Sequence, residues 1–158
     1  MTVEVRLATP ADARRIAEIH VAAWQHAYAD LLSAELLDGL SVDSRETGWS
    51  QRLAADGPVH VALIDTTVMG FAAAGRCRGD QPPRHLELYA IYQLPAAHGS
   101  GTGQVLLDAA VGDAPAFLWV ADPNPRAQAF YRKNGFQSDG AIHVDPDLEG
   151  LREIRMIR

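Results

Sequence analysis

The chain has 158 residues, 47% of them hydrophobic and 22% charged, the make-up of an ordinary globular protein long enough to bury its own core. Its net charge of −6, from 14 basic and 20 acidic residues, argues against nucleic acid as a partner, because duplex binding is largely phosphate neutralisation by Lys and Arg. No apolar run approaches the roughly 18 residues of a membrane helix, the start MTVEVRLATP lacks a signal-peptide pattern, and the lone Cys77 cannot form an intrachain disulfide.

These features predict one domain spanning residues 1–158, in a reducing cytoplasm and without a membrane partner. A positively charged small molecule or a peptide amine suits the charge better than an acidic ligand.

VEVRLAT (3–9) alternates and reads as a first strand. Thr9, Pro10 and Asp12 then form an N-terminal helix signal, with a cap, a proline at the first turn and a carboxylate three after the cap. Ile16, Ile19, Ala23 and Ala27 follow at near-helical spacing, and Trp24 and Tyr28 stand one turn apart. A second helix is predicted over 44–55, with Trp49 and Leu53 on one face and Asp56-Gly57-Pro58 as its stop. VHVALID (59–65) and TTVMGFAAAGRCR (66–78) read as paired strands, the second carrying Cys77 as a thiol without a role. GDQPPR (79–84) is a loop by composition.

HLELYAIYQL (85–94) is the third long strand, ended by Pro95. HGSGTGQVLL (98–107) follows and opens a helix over about 104–113. APAFLWVAD (114–122) returns as a short buried strand, and Asp122-Pro123-Asn124-Pro125 opens the helix NPRAQAFYRKNGF, with Gly135 as its C-cap. Residues 136–145 and 150–158 are two closing strands, which could abut or exchange in a homodimer. The order β-α-α-β-β-β-α-β-α-β-β predicts a mixed α/β sheet flanked by helices. Its N-terminal half is antiparallel, and residues 85–122 form the parallel crossover.

The glycines at 99, 101 and 103 sit between a strand and a helix. There free backbone N–H groups and the positive end of the helix dipole face outward, a ready anion site. A dinucleotide fingerprint needs a third glycine where Gln104 stands, and a nucleotide P-loop needs Gly-Lys-Ser/Thr at its end, which is absent. The six histidines show no metal-ligand spacing, so no metal is expected, and no Gly-x-Ser-x-Gly elbow occurs.

ELYAIYQLPAAHGSGTGQVLLDAAV resembles the coenzyme A signature of the GCN5-related N-acetyltransferases (GNAT), in which Arg or Gln precedes two spaced glycines at the start of a helix. His98, Gly101 and Gly103 hold those places here. LWVADPNPRAQAFYRKNGF is similar to the family's second signature, carried by Asn124, Tyr131, Gly135 and Phe136. VRLATPADARRIAEIHVAAWQHAYADLL is similar to the opening of one bacterial branch. The resemblance spans nearly the whole chain in order.

It implies a GNAT-like fold and acetyl-CoA as cofactor. The backbone N–H groups of Gly99, Ser100, Gly101, Thr102, Gly103 and Gln104 are expected on the pyrophosphate, with His98 at the mouth of the loop. Ile91, Tyr92 and Gln93 are expected to pair through main chain with the pantetheine arm, and Asn124 to hydrogen-bond to it. Tyr131, seven residues on and about 10 Å along one helix face, is the expected general acid for the sulfur. Arg126, Arg132 and Lys133 are expected near the outer phosphates. Glu87 is the candidate base, working through water and close to the acceptor, with a solvent-facing strand carboxylate as the alternative. Trp24 and Tyr28, with Trp49, are candidates for an aromatic wall around a cationic acceptor, against ordinary helix core. The expected reaction is direct acetyl transfer to a primary amine of a small-molecule acceptor, polyamine-like or amino-acid-like. The alternatives are a protein or peptide N-terminal amine, and a non-catalytic acyl-CoA sensor.

Overall fold

The structure is a computed structural model, which describes residues 1–55 and 57–158. Asp56, expected in the stop of the second helix, lies outside the described residues. The elements in chain order are β1 (Val3–Leu7), a 3-10 turn (Pro10–Asp12), α1 (Ala13–Ala27), α2 (Ala34–Asp38), α3 (Val42–Ala54), β2 (Val59–Ile64) and β3 (Thr67–Arg76). Then come β4 (Leu86–Gln93), a 3-10 turn (Pro95–Ala97), α4 (Thr102–Ala110), β5 (Phe117–Ala121), α5 (Pro125–Lys133), β6 (Gln137–Asp145), a 3-10 turn (Pro146–Leu148) and β7 (Leu151–Ile157).

The seven strands form one sheet in the order β1-β2-β3-β4-β5-β7-β6. Every neighbouring pair is antiparallel except β4 and β5, the parallel crossover expected from the sequence.

Local chemistry sets the helix starts. The Asp12 carboxylate accepts from the Thr9 N–H at 2.8 Å and pairs with Arg6. Ser33 and Ser41 cap α2 and α3 by accepting from Leu36 N and Ser44 N, each at 3.1 Å. The short α2 has no apolar period long enough to read in the sequence; Ser33 is its one signal. Cys77 falls just past β3, where its N–H donates to the His85 carbonyl.

Both sheet faces are covered. On one, Ile16 and Ile19 of α1 pack with Val59, Val61 and Phe71, and Trp49 and Leu53 of α3 close over them. On the other, Leu106 and Leu107 of α4 and Tyr131 of α5 pack over Ala72, Leu88 and Leu118. Register explains the split: Phe71 stands opposite Tyr92 and faces α1, while Ala72 stands opposite Ile91 and faces α4.

The feature that positions the site is the brevity of the parallel pairing. Only Glu87–Phe117 and Leu88–Leu118 are partnered between β4 and β5. Beyond Leu88 the two strands part, while β4 runs on to Gln93. The later residues of β4 keep β3 on one side and, among the described residues, have no strand on the other.

Candidate active site

A cleft of about 650 Å³ opens where β4 and β5 part. Its walls are Ile91, Tyr92 and Gln93 of β4, the loop from His98 to Gly103, the α5 face from Asn124 to Tyr131, and the last turn of α1 with His26.

The loop is shaped by its glycines. Gly99 and Gly101 have φ of +79° and +89°, which only glycine adopts at little cost. No atom lies within 4 Å of where a Cβ would stand on either, so the backbone faces open space. Ser100 N donates to the Ala97 carbonyl and Thr102 N donates to Ser100 Oγ. The N–H groups of Gly99, Gly101, Gly103 and Gln104 find no acceptor among the described residues. Four donors at the start of α4 therefore remain for an anion.

Ser100 and Thr102 were expected among the cofactor ligands, and their roles differ. Thr102 is fully buried and its hydroxyl bonds to that of Ser100, which also bonds to the Ala97 carbonyl. They brace the loop from behind and do not line the cleft. Gln104 lines the cleft, while its amide donates to Asp108 and Asn134 at 2.9 and 2.8 Å and ties α4 to α5.

The charges in the cleft are of one sign. Its titratable lining groups are His26, His98, Arg126, Lys133, Tyr92 and Tyr131, with no carboxylate among the described residues. In a chain of net charge −6, this is a local reversal that suits a phosphorylated ligand. Burial, then Arg126 and His26, hold the His98 imidazole below its ordinary range. Gln93 Oε1 is buried in the wall and has no partner among the described residues, so a ligand N–H would satisfy an otherwise costly acceptor. The loop N–H groups, the basic lining and this orphaned oxygen together fit coenzyme A, with its pyrophosphate and amide-bearing arm.

Asn124 caps α5 by accepting from Ala127 N at 3.3 Å and also lines the cleft. Tyr131 is buried at the back, where burial and the nearby Tyr92 push its phenol upward. It stays protonated at neutral pH, the form that has a proton to give. Tyr28 and Tyr92 are likewise raised, mainly by burial, and the Glu153 carboxylate on β7 adds to both.

Glu87 does not reach the cleft. It is 2% exposed, and Arg78 occupies both carboxylate oxygens, N–H to Oε1 and guanidinium to Oε2, each at 2.9 Å. It sits where β4 and β5 are still paired, about 13 Å of strand before Ile91. It is buried and held by Arg78, not a solvent-facing carboxylate. Arg132 also lies outside the lining, and Arg126 and Lys133 supply the cationic wall of α5.

Trp24 and Tyr28 stack edge to face at 4.9 Å. They lie on the Tyr92 side, outside the lining, and Tyr28 packs with Leu32, Leu37, Ala121 and Leu151. Trp49 is core, donating to His20 Nδ1 at 3.2 Å.

Two features escaped the sequence. His26 lies in the last turn of α1, with its ring 5.7 Å from that of His98, a contact between segments 72 positions apart. His143, Asp145 and Glu153 bring ligand-type atoms within 4.8 Å of one another. They meet because His143 pairs with Glu153 across β6 and β7, which spacing among histidines alone does not reveal.

Comparison with known proteins agrees with this geometry. The model of the Acetyltransferase (GNAT) family matches residues 13–136. An uncharacterised N-acetyltransferase of Bacillus subtilis, YuaI, is 33% identical over 130 residues, covering 78% of this chain and 74% of its own. The PaiA N-acetyltransferase of Thermoplasma acidophilum, solved with coenzyme A, superimposes with a TM-score of 0.76 at 21% identity, over 100% of this chain and 99% of its own. A ribosomal-protein-alanine N-acetyltransferase of Brucella melitensis gives 0.76 at 24% identity, over 98% of each chain. The fold, the signature loop and these relatives agree, and the chain belongs to the GNAT family of acetyl-CoA-dependent N-acetyltransferases.

Proposed function

We propose that this protein transfers the acetyl group of acetyl-CoA to a primary amine of a small-molecule acceptor, polyamine-like or amino-acid-like, by direct attack within a ternary complex. The observation that carries this reading is the set of four unpartnered N–H groups of Gly99, Gly101, Gly103 and Gln104, facing a cleft with basic lining and no carboxylate among the described residues.

Acetyl-CoA supplies an acyl group already activated as a thioester. The protein supplies position and a proton. The loop N–H groups hold the pyrophosphate, with Arg126 and Lys133 as flanking cations. The free side of β4 at Ile91–Gln93 offers main-chain groups to the amide-bearing arm, as an edge strand accepts another strand. Gln93 Oε1 and Asn124 are further polar groups within reach of that arm. Tyr131 gives its proton to the leaving sulfur as the C–S bond breaks and the new C–N bond forms. The amine's proton leaves to water, and water returns a proton to the Tyr131 phenolate, which restores the acid. Glu87, closed by Arg78, takes no part in this scheme. Cys77 lies outside the cleft lining, and no covalent enzyme intermediate is involved.

An assay of thiol release from acetyl-CoA against diamines, amino acids and peptides with free N-termini tests the proposal. Release driven by a small amine supports it, and release driven only by peptides moves the acceptor to that class. Tight binding with no acceptor-dependent release overturns catalysis in favour of a sensor.

A further inference from the structure

The charge changes sign across the β4–β5 gap. The cofactor side is lined by basic groups, with no carboxylate among the described residues. Tyr92 lines that cleft and also packs on the α1 side of the sheet, so the gap opens through to that side. There Glu153 of β7 and His143 and Asp145 of β6 bring polar atoms within 4.8 Å of one another.

Register places them beside the gap. Ile91 and Ala121 lie past Leu88 and Leu118, the last partnered pair of β4 and β5, and flank the gap from its two strands. Glu153 stands opposite Ala121, and His143 stands opposite Glu153. Directly opposed residues share a face, so Glu153 lies one strand spacing, about 5 Å, from the edge of the gap. Ala121 clusters with Tyr28 at the end of α1, which makes this the α1 side. Tyr28 is 7% exposed, and its hydroxyl has Tyr92, Glu153 and Tyr131 as polar neighbours. A path of phenols therefore joins the expected site of the thioester to the Glu153 carboxylate.

The acidic pair lacks a matching cation. The other carboxylates of these strands are taken by arginines: Asp139 by Arg155 at 2.7 Å, Asp122 by Arg152 at 2.9 Å and Glu87 by Arg78 at 2.9 Å. Asp145 accepts from the Asp147 N–H at 2.9 Å, and neither it nor Glu153 has an arginine or lysine partner among the described residues. Burial holds the Glu153 carboxyl above its ordinary range and Asp145 adds to this, while His143 and Arg78 oppose it. We propose that Glu153, with Asp145 beside it, seats a second ammonium group of the acceptor, which makes the acceptor a diamine or polyamine that offers one amine to the thioester while its other end is held on β7 and β6. The phenol oxygens of Tyr28 and Tyr92 accept hydrogen bonds along the way. An amino acid would instead bring its carboxylate against two like charges. The inference rests on the acetyl-transfer reading of the cleft and selects among its acceptors.

Thiol release from acetyl-CoA at pH 8, where an exposed imidazole is mainly neutral, compares diaminobutane with butylamine and alanine. The parent protein should favour diaminobutane over butylamine by roughly tenfold or more in kcat/KM, the worth of a hydrogen bond to a charged group. Glu153→Gln, which keeps the shape, should collapse that preference to about twofold or less, mainly through the KM for diaminobutane. Asp145→Asn should lower the preference in the same direction, and it covers the case in which the first variant fails to fold. Acetyl-CoA affinity reports the fold of each variant. Butylamine or alanine used as well as diaminobutane, or a preference kept in both variants, overturns the ammonium seat alone. Activity on diaminobutane that is lost in a chelator and restored by zinc assigns the carboxylates to a metal and also overturns the seat. No thiol release with any amine overturns the acetyl-transfer reading and the seat with it.

Discussion

His20 gives the protein an acid-sensitive core. It is buried on α1, its ring stacks on Tyr92 at 5.3 Å and 18°, and its Nδ1 accepts from the Trp49 indole at 3.2 Å. An imidazole that accepts at Nδ1 is neutral, and no carboxylate pairs with it among the described residues. Burial, helped by Arg45, pushes it from 6.5 down to about 4. The unfolded chain therefore takes up this proton first. Above pH 6.5 both states are neutral and the full stability is present. Between 6.5 and 4 the unfolded state alone is charged, and stability falls by about 1.4 kcal/mol per pH unit. Below 4 both states are charged and the loss levels off at roughly 3 kcal/mol, a sizeable part of the 5–15 kcal/mol usual for a domain. Urea denaturation at pH 7.5, 6, 5 and 4.5 reads it, against His20→Gln, whose amide oxygen can still accept from Trp49. Carboxylates contribute to both proteins, so the difference in pH slope is the signal. The variant should start lower at pH 7.5 by about 1–2 kcal/mol and lose about 2–3 kcal/mol less on acidification. Parallel slopes would refute the assignment.

In the proposed scheme Tyr131→Phe removes the proton for the leaving sulfur, and it should lower kcat by roughly a hundredfold or more. Acetyl-CoA affinity should change less than about threefold, and unchanged turnover in a stopped thiol-release assay would sink the role. His98→Arg places a permanent charge at the loop mouth and should tighten acetyl-CoA binding roughly three- to tenfold at pH 8; weaker binding in a titration would point to a specific imidazole contact. Glu87→Gln weakens the pairing with Arg78 in a buried setting. It should cost about 1–3 kcal/mol in denaturation with kcat/KM within about threefold of the parent, whereas a large kcat loss at unchanged stability would restore Glu87 as the base.

The backbone of the site was readable because it rests on local rules. Gly99 and Gly101 need positive φ, Gly103 follows at the helix start, and a strand before and a helix after leave N–H groups open to an anion. The β4–β5 crossover was readable for the same reason. What failed depends on contacts between distant segments. Nothing local to HLELYAIYQL shows that pairing with β5 stops at Leu88, so Glu87 and Ile91 look like neighbours on one strand. One proves closed and the other lines the cleft. Ser100 and Thr102 share the loop with the glycines, yet their N–H groups already donate to the Ala97 carbonyl and to Ser100 Oγ. Trp24 and Tyr28 satisfy helical spacing equally well as core or as substrate wall, and only the tertiary packing distinguishes the two. His26 carries no motif at all, and its meaning comes from the loop it meets.

The most direct test of the account is a crystal structure of the protein with acetyl-CoA bound. The predicted result is the pyrophosphate on the N–H groups of Gly99, Gly101, Gly103 and Gln104, the pantetheine arm along Ile91–Gln93, and the thioester sulfur within hydrogen-bond reach of the Tyr131 hydroxyl. A pyrophosphate bound away from the glycine loop, or a sulfur out of reach of Tyr131, would contradict it.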